Sequence, residues 1–300
     1  MRFQNSLPVI ISGETGCGKS YLIQYLCQIL NYDLSRFTLH GGHNDHDILQ
    51  FIRGVKLRAA QSSQAKFVIF LDEVNTCNCL GVIKEIVCDR FLDGDLLPDN
   101  IKIVCALNPY RKKTGNTEQD PQSGLIYKHA SVESIPDPLE VLAYRVFPVP
   151  DTFCEYLFDF GTLDSNAESH YINSMLRKNL QLGPSLSQQV EETVNLFAKL
   201  LSSSQDFIRG VTNEVSSVSL REIERAIRLF KWFDQFGSHS VLQNQTMKLT
   251  DFYDHHHINT LMVETLGHVY YCRLSRKNRK EYLDFIYVQA QLANSRYNFN

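Results

Sequence analysis

Eight consecutive residues, Gly13-Glu14-Thr15-Gly16-Cys17-Gly18-Lys19-Ser20, carry the spacing Gly-x-x-x-x-Gly-Lys-Ser of a phosphate-binding loop. The glycines permit backbone conformations that aim several amide N–H groups at an anion, and a helix starting at the end of the loop adds the positive end of its dipole. Lys19 supplies a mobile cation for the outer phosphates of a nucleotide, and Ser20 a hydroxyl ligand for Mg²⁺. The plainer alternative is a Gly-rich turn with a surface lysine. An apolar run before the loop, Leu7-Pro8-Val9-Ile10-Ile11, and a helical pattern from Lys19 to Leu30 after it weigh against that.

Two further strand ends could supply the rest of the chemistry. Phe67-Val68-Ile69-Phe70-Leu71 is a continuous apolar run closed by Asp72-Glu73. A carboxylate at the end of a buried strand next to the loop strand can hold Mg²⁺ through water, and the next can polarise an attacking water. Asp72 is therefore assigned to the metal and Glu73 to the water as general base. Ile103-Val104-Cys105-Ala106-Leu107 ends in Asn108. If its strand lies between those bearing Lys19 and Asp72, the Asn108 amide reaches the γ-phosphate and the water. Taken alone, Asn108-Pro109 is only a turn signal.

Two arginines follow. Arg145, in Ala143-Tyr144-Arg145-Val146-Phe147-Pro148, could be displayed towards the nucleotide of an adjacent module as an arginine finger, or be an ordinary surface arginine. Arg221 sits in the first turn of a helix that Ser219 can cap, from which it could report nucleotide state; an exposed helix-face arginine is the alternative. His40, His43 and His46 with Asp45 and Asp47 read as a polar loop, and the consecutive His255, His256 and His257 diverge too much to share a metal.

The elements that must position these residues alternate in the first half. Strands are expected at residues 7–11, 37–39, 67–71, 101–107 and 144–149. Between them lie helical patterns after Lys19, after a cap at Asn44 or Asp45 (Ile48, Phe51, Ile52, Val55), and through Val82, Ile83, Ile86 and Val87. Such alternation predicts an α/β fold with a parallel sheet flanked by helices. From Asp151 onward helical periodicity takes over, clearest from Ser219 to Phe236. The expected organisation is a nucleotide-binding α/β domain over 1–150 and a smaller helical lid domain with a C-terminal extension over 151–300. The polar stretch from Arg111 to Pro138 reads as a long functional loop.

Composition bounds the partners. The 300 residues are 43% hydrophobic and 21% charged with a formal net charge of −3, so a sizeable core is possible and no electrostatic footprint points to nucleic acid. The basic stretch from Arg273 to Lys280 reads as a solvated helix end. Eight cysteines without a Cys-x-x-Cys pair, several inside apolar runs, look like free thiols in a reducing compartment. With neither a leader of sufficient apolar length nor a membrane-span-length segment, the chain reads as cytosolic.

The loop, the Asp-Glu strand end, Asn108 and the two arginines, in this order, resemble an AAA+ ATPase. Finer details are similar to the mysterin (RING finger protein 213-like) family of giant AAA+ ubiquitin ligases. They are Gly13 to Lys19, Thr38-Leu39-His40-Gly41-Gly42, Leu71-Asp72-Glu73-Val74-Asn75-Thr76 leading to Ile83-Lys84-Glu85-Ile86, Cys105-Ala106-Leu107-Asn108-Pro109-Tyr110-Arg111, and Tyr144-Arg145-Val146-Phe147-Pro148. The resemblance implies ATP and Mg²⁺ as cofactors and hydrolysis as the activity. It also implies a fragment of a longer polypeptide whose several AAA units form a ring, so that Arg145 would face a neighbouring unit of the same chain. The protein substrate remodelled is unknown. Ubiquitin transfer is not expected from this chain, because the Cys and His clusters of the family's ligase regions are missing. Two other readings stand beside this one: a module that binds ATP as a structural staple, and a P-loop kinase.

Overall fold

The computed structural model describes residues 6–62, 64–110, 142, 144–180, 188–236 and 255–293. The stretch expected as a long loop, from Arg111 to Pro138, lies outside the described residues, as do the side chains of His255, His256 and His257. The chain divides into two compact units, Met1–Thr162 and Leu163–Asn300.

In the first unit the strands are β1 (Val9–Ser12), β2 (Asp33–Thr38), β3 (Phe67–Asp72), the short hairpin β4 (Phe91–Leu92) and β5 (Asp95–Leu96), β6 (Ile101–Leu107) and β7 (Leu157–Asp159). Five of them form one parallel sheet in the order β2-β3-β6-β1-β7. The helices are α1 (Lys19–Leu30), α2 (Asp45–Gln61), α3 (Leu80–Lys84), which runs on into a π-helical turn (Glu85–Asp89), and α4 (Asp151–Cys154).

Strand alternation explains the layering. Val68, Phe70, Val104 and Ala106 point to the face covered by Ile23 and Cys27 of α1. Ile69, Leu71, Ile103 and Cys105 point to the opposite face, against Ile48, Ile52, Val55 and Ala59 of α2 and Phe153 of α4. With helices on both faces, β3 and β6 are buried throughout, which is why they read as uninterrupted apolar runs. Asn44 caps α2 in a reciprocal capping box with Asp47: the Asn44 side chain accepts from the Asp47 amide at 3.1 Å, and the Asp47 carboxylate accepts from the Asn44 amide at 3.0 Å.

The fifth strand differs from the sequence expectation. Residues 144–149 make no ladder; they run as an irregular segment whose Val146 is buried and whose Phe147 amide donates to the Asn75 carbonyl. Pro148 and Pro150 remove donors that a ladder would need. The sheet is completed instead by β7, three exposed residues on an edge beside β1, too short for its Leu157-Phe158 pair to read as a strand. At the other edge, β2 is twice the length expected, because its polar alternation Asp-Leu-Ser-Arg hides its first half.

The second unit is helical: α5 (Ser165–Asn179), α6 (Gln188–Thr212), α7 (Leu220–Phe236), α8 (His255–Val269) and α9 (Arg276–Ala293). Its separate core gathers Ile172, Leu176, Phe197, Leu200, Ile227 and Phe230, among others. Two buried tyrosines are satisfied within it: Tyr282 shares a hydrogen bond with Ser204 at 2.9 Å, and Tyr270 accepts from Gln205 at 3.5 Å. Among the described residues no helix is long and apolar enough to cross a membrane.

Candidate functional site

All strands of the sheet run the same way, so the residues after β1, β3 and β6 come out at one end, and β6 lies between β1 and β3. That end is where a doubly covered parallel sheet offers a crevice to ligands. The loop after β1 spans residues 13–18 and delivers the chain into α1 at Lys19. Gly16 (φ 80°) and Gly18 (φ 92°) occupy left-handed conformations that a side chain disfavours. Gly18 is the N-cap of α1 and no side chain caps it, so the helix start is left to an external acceptor. At Gly13 the reason for glycine is space, since a Cβ there would stand 2.8 Å from Phe160 Cβ. The turn after β7 closes over this point: the Phe160 amide donates to Ser12 O at 2.7 Å and the Glu14 amide to Gly161 O at 3.3 Å.

Lys19 is almost fully buried, and its Nζ donates to the Gly13 and Glu14 carbonyls at 2.6 and 3.0 Å. The ammonium thus sits inside the curl of the loop. Thr15 and Cys17 complete that curl, the Cys17 amide donating to Glu14 O at 3.3 Å. From the first turn of α1, Ser20 Oγ donates to Asp72 Oδ2 at 2.8 Å, and this hydrogen bond joins the loop to the end of β3. The same carboxylate oxygen accepts from Arg36 on β2 at 2.6 Å. Glu73 follows with φ 58° and ψ 40°, a left-handed conformation outside glycine. Such strain concentrates at functional sites because the surrounding structure must hold it in place. Its carbonyl accepts from the amide and the hydroxyl of Thr76.

Asn108, nearly buried, is fixed from the side of β3. Its carbonyl accepts from Asn75 Nδ2 at 2.8 Å and its amide donates to Asn75 Oδ1 at 3.3 Å. The Asn75 carbonyl in turn accepts from Phe147 N at 2.8 Å. Tyr144 reaches the loop after β1: its hydroxyl accepts from the Thr15 amide at 3.1 Å and donates to the Glu14 carboxylate. Burial, and then the neighbouring Glu14 carboxylate, push the Tyr144 phenol above its usual range. Arg145 is exposed beside it. The loop, Ser20, Asp72, Glu73, Asn108 and the segment bearing Arg145 therefore belong to one neighbourhood of the first unit. Arg221 belongs to the helical unit, exposed in the first turn of α7, where its amide donates to Ser219 Oγ at 3.3 Å.

Three residues here escaped the sequence reading. Arg36 lay in the stretch of β2 ahead of the strand expected at 37–39. Asn75 stood in the run after Asp72-Glu73 without a role. Tyr144 was absorbed into an expected strand. The histidines at the start of α2 close a turn: His43 Nδ1 accepts from the His40 amide, and His40 Nδ1 from the Gly42 amide, each at 3.1 Å.

The donor set fits a magnesium nucleotide. A hydroxyl and a carboxylate 2.8 Å apart are hard oxygen ligands of the kind Mg²⁺ takes from proteins, and the glycine curl with its enclosed ammonium suits phosphate.

A family model described as the RNF213 AAA domain matches residues 1–111, a span that holds the loop, Asp72, Glu73 and Asn108. Over 249 residues the chain is 36% identical to the E3 ubiquitin-protein ligase RNF213 of Mus musculus, and over 258 residues 33% identical to that of Homo sapiens. It is 34% identical over 251 residues to the E3 ubiquitin-protein ligase rnf213-beta of Danio rerio. These alignments cover 78%, 81% and 78% of this chain and 5% of each relative, so the chain spans a small part of the length of the curated relatives it matches.

Proposed function

This chain belongs to the RNF213 family through its AAA domain, and on that premise we propose that it binds Mg-ATP and hydrolyses it as one AAA module of a larger ring-forming protein. The observation that carries this reading is the hydrogen bond from Ser20 to Asp72, which brings the start of α1 against the acidic end of β3.

In this reading the loop residues Gly13, Glu14, Thr15, Gly16, Cys17 and Gly18 cradle the phosphates with their amides. Lys19 exchanges its contacts with loop carbonyls for the outer phosphates. Ser20 and Asp72 hold Mg²⁺, which when bound neutralises charge on the phosphate oxygens. Glu73 takes a proton from the attacking water, and the Asn108 amide orients that water against the γ-phosphate. Arg145 is offered to the nucleotide of a neighbouring AAA unit, and Arg221 reports nucleotide state from the helical part. The first compact unit, Met1–Thr162, serves as the nucleotide-binding domain, reaching past the expected boundary at 150 because α4 packs on its sheet and β7 pairs with β1, and Leu163–Asn300 serves as its lid and extension, moved by the hydrolysis cycle. The ligase activity in the relatives' names is theirs, and the substrate remodelled stays unassigned.

The deciding experiment is Glu73→Gln. We expect ATP binding, read by fluorescent-nucleotide titration, to persist while phosphate release stops. Turnover that survives the substitution removes Glu73 from its role. Phosphate released to water without an added acceptor separates this reading from a kinase. ATP held unhydrolysed by the unmodified chain, even beside its neighbouring units, would favour a structural nucleotide instead.

A further inference from the structure

The irregular segment at residues 144–147 is fastened at both ends. At one end the Tyr144 hydroxyl accepts from the Thr15 amide at 3.1 Å and donates to the Glu14 carboxylate, both partners lying in the phosphate-binding loop. At the other, the Phe147 amide donates at 2.8 Å to the carbonyl of Asn75, the residue that also grips Asn108 at the end of β6. Between the fasteners Val146 is buried, its amide donating back to the Tyr144 carbonyl at 2.9 Å, and Arg145 is exposed.

We propose that Tyr144 is a positioning residue whose hydroxyl couples the conformation of the phosphate-binding loop to the presentation of Arg145. The proposal rests on the reading of the loop as a nucleotide site. The Thr15 N–H belongs to a loop whose amides are there to meet an anion, and it spends its donor on Tyr144. A ligand that redirects the loop amides changes what the phenol can bond to. Because Phe147 is pinned to Asn75, the segment cannot drift as a whole, and the adjustment falls on the peptide units around Arg145 and Val146. The phenol is well placed to transmit this. Its ring is rigid, its hydroxyl is part-buried, and burial with the Glu14 carboxylate raises the phenol above its usual range, so that it stays protonated.

Tyr144→Phe keeps the ring and removes the hydroxyl, and with it the hydrogen bonds to Thr15 and Glu14. The test is hydrogen–deuterium exchange of the peptide covering 144–149 in the 300-residue chain, with and without a non-hydrolysable ATP analogue and Mg²⁺. In the unmodified chain we expect the exchange rate of this peptide to change about fivefold when the analogue binds, roughly the factor one net hydrogen bond represents. In Tyr144→Phe we expect that response to vanish while the analogue's affinity stays within about threefold of the parent. A merely structural role would raise exchange equally in both ligand states and leave the ligand-dependent difference intact, and that result overturns the proposal. So does a peptide that ignores the analogue in the unmodified chain while fluorescence titration shows it bound. Failure of the analogue to bind at all is a different outcome: it sinks the nucleotide reading itself, and this inference with it.

Discussion

Asp72 Oδ2 accepts two hydrogen bonds at once, from Ser20 at 2.8 Å and from Arg36 at 2.6 Å, while almost buried. A carboxylate in that position needs a counter-charge, and Arg36 supplies it from the edge strand. Because the Arg36 side chain is 48% exposed, solvent screens the pair and its worth is modest, about 1 kcal/mol. Arg36→Gln is expected to lower the unfolding free energy of the metal-free chain, read by urea titration, by about 1 kcal/mol, and to lose less once Mg-nucleotide is present if the proposed metal at Asp72 takes over the counter-charge. Equal losses in both conditions would assign Arg36 to packing alone. Gly13→Ala tests the neighbouring constraint. Its methyl would press on Phe160 Cβ at 2.8 Å and push the turn after β7 off the loop, at an expected cost of about 1–3 kcal/mol in chemical denaturation. Lys19→Ala should abolish nucleotide binding in a fluorescence titration; retained affinity would move the phosphate site elsewhere.

At the scale of the elements, the capping box of α2 offers a clean probe. Asn44→Ala removes the acceptor for the Asp47 amide and should cost about 1 kcal/mol without touching the nucleotide loop, as read by thermal melting alongside nucleotide affinity. Elements buried on both sides were legible in the amino-acid order because burial forces a continuous apolar run: β3 and β6 are the cases, and β1 shares the pattern at its buried centre, Ile10 and Ile11. Helices with one apolar stripe, α1 and α2, were legible for the matching reason. Edge strands were legible only in part. Of β2 only the Phe37-Thr38 end was expected, because Asp33 to Arg36 alternate polar residues that carry no burial signal, and β7 is only three residues long, so pairing with a neighbour is what defines it. The same holds within the site. The Gly-rich loop, Asp72, Glu73 and Asn108 announce themselves by type and spacing. Tyr144, Asn75 and Arg36 matter through partners distant in sequence, such as Thr15 and Tyr144, 129 positions apart, and no local pattern encodes such contacts.

Each unit has its own apolar core, so ligand effects on stability should begin in the first. ATP analogue at a hundredfold excess over its dissociation constant is expected to stabilise the chain by about 2.7 kcal/mol through mass action, and Lys19→Ala should cancel that gain. A shift retained in the variant would indicate binding away from the loop. The left-handed backbone at Glu73 has a further consequence for the chain's fitness as a whole. Holding a glutamate there opposes folding by roughly 1 kcal/mol or more relative to a residue at ease with positive φ. Directed evolution for heat tolerance alone would therefore drift towards glycine or asparagine at this position, and on the proposed role of Glu73 those hardier descendants would lose turnover. On the same proposal a lineage screened for turnover would keep glutamate, and the two pressures can be told apart by sequencing the survivors.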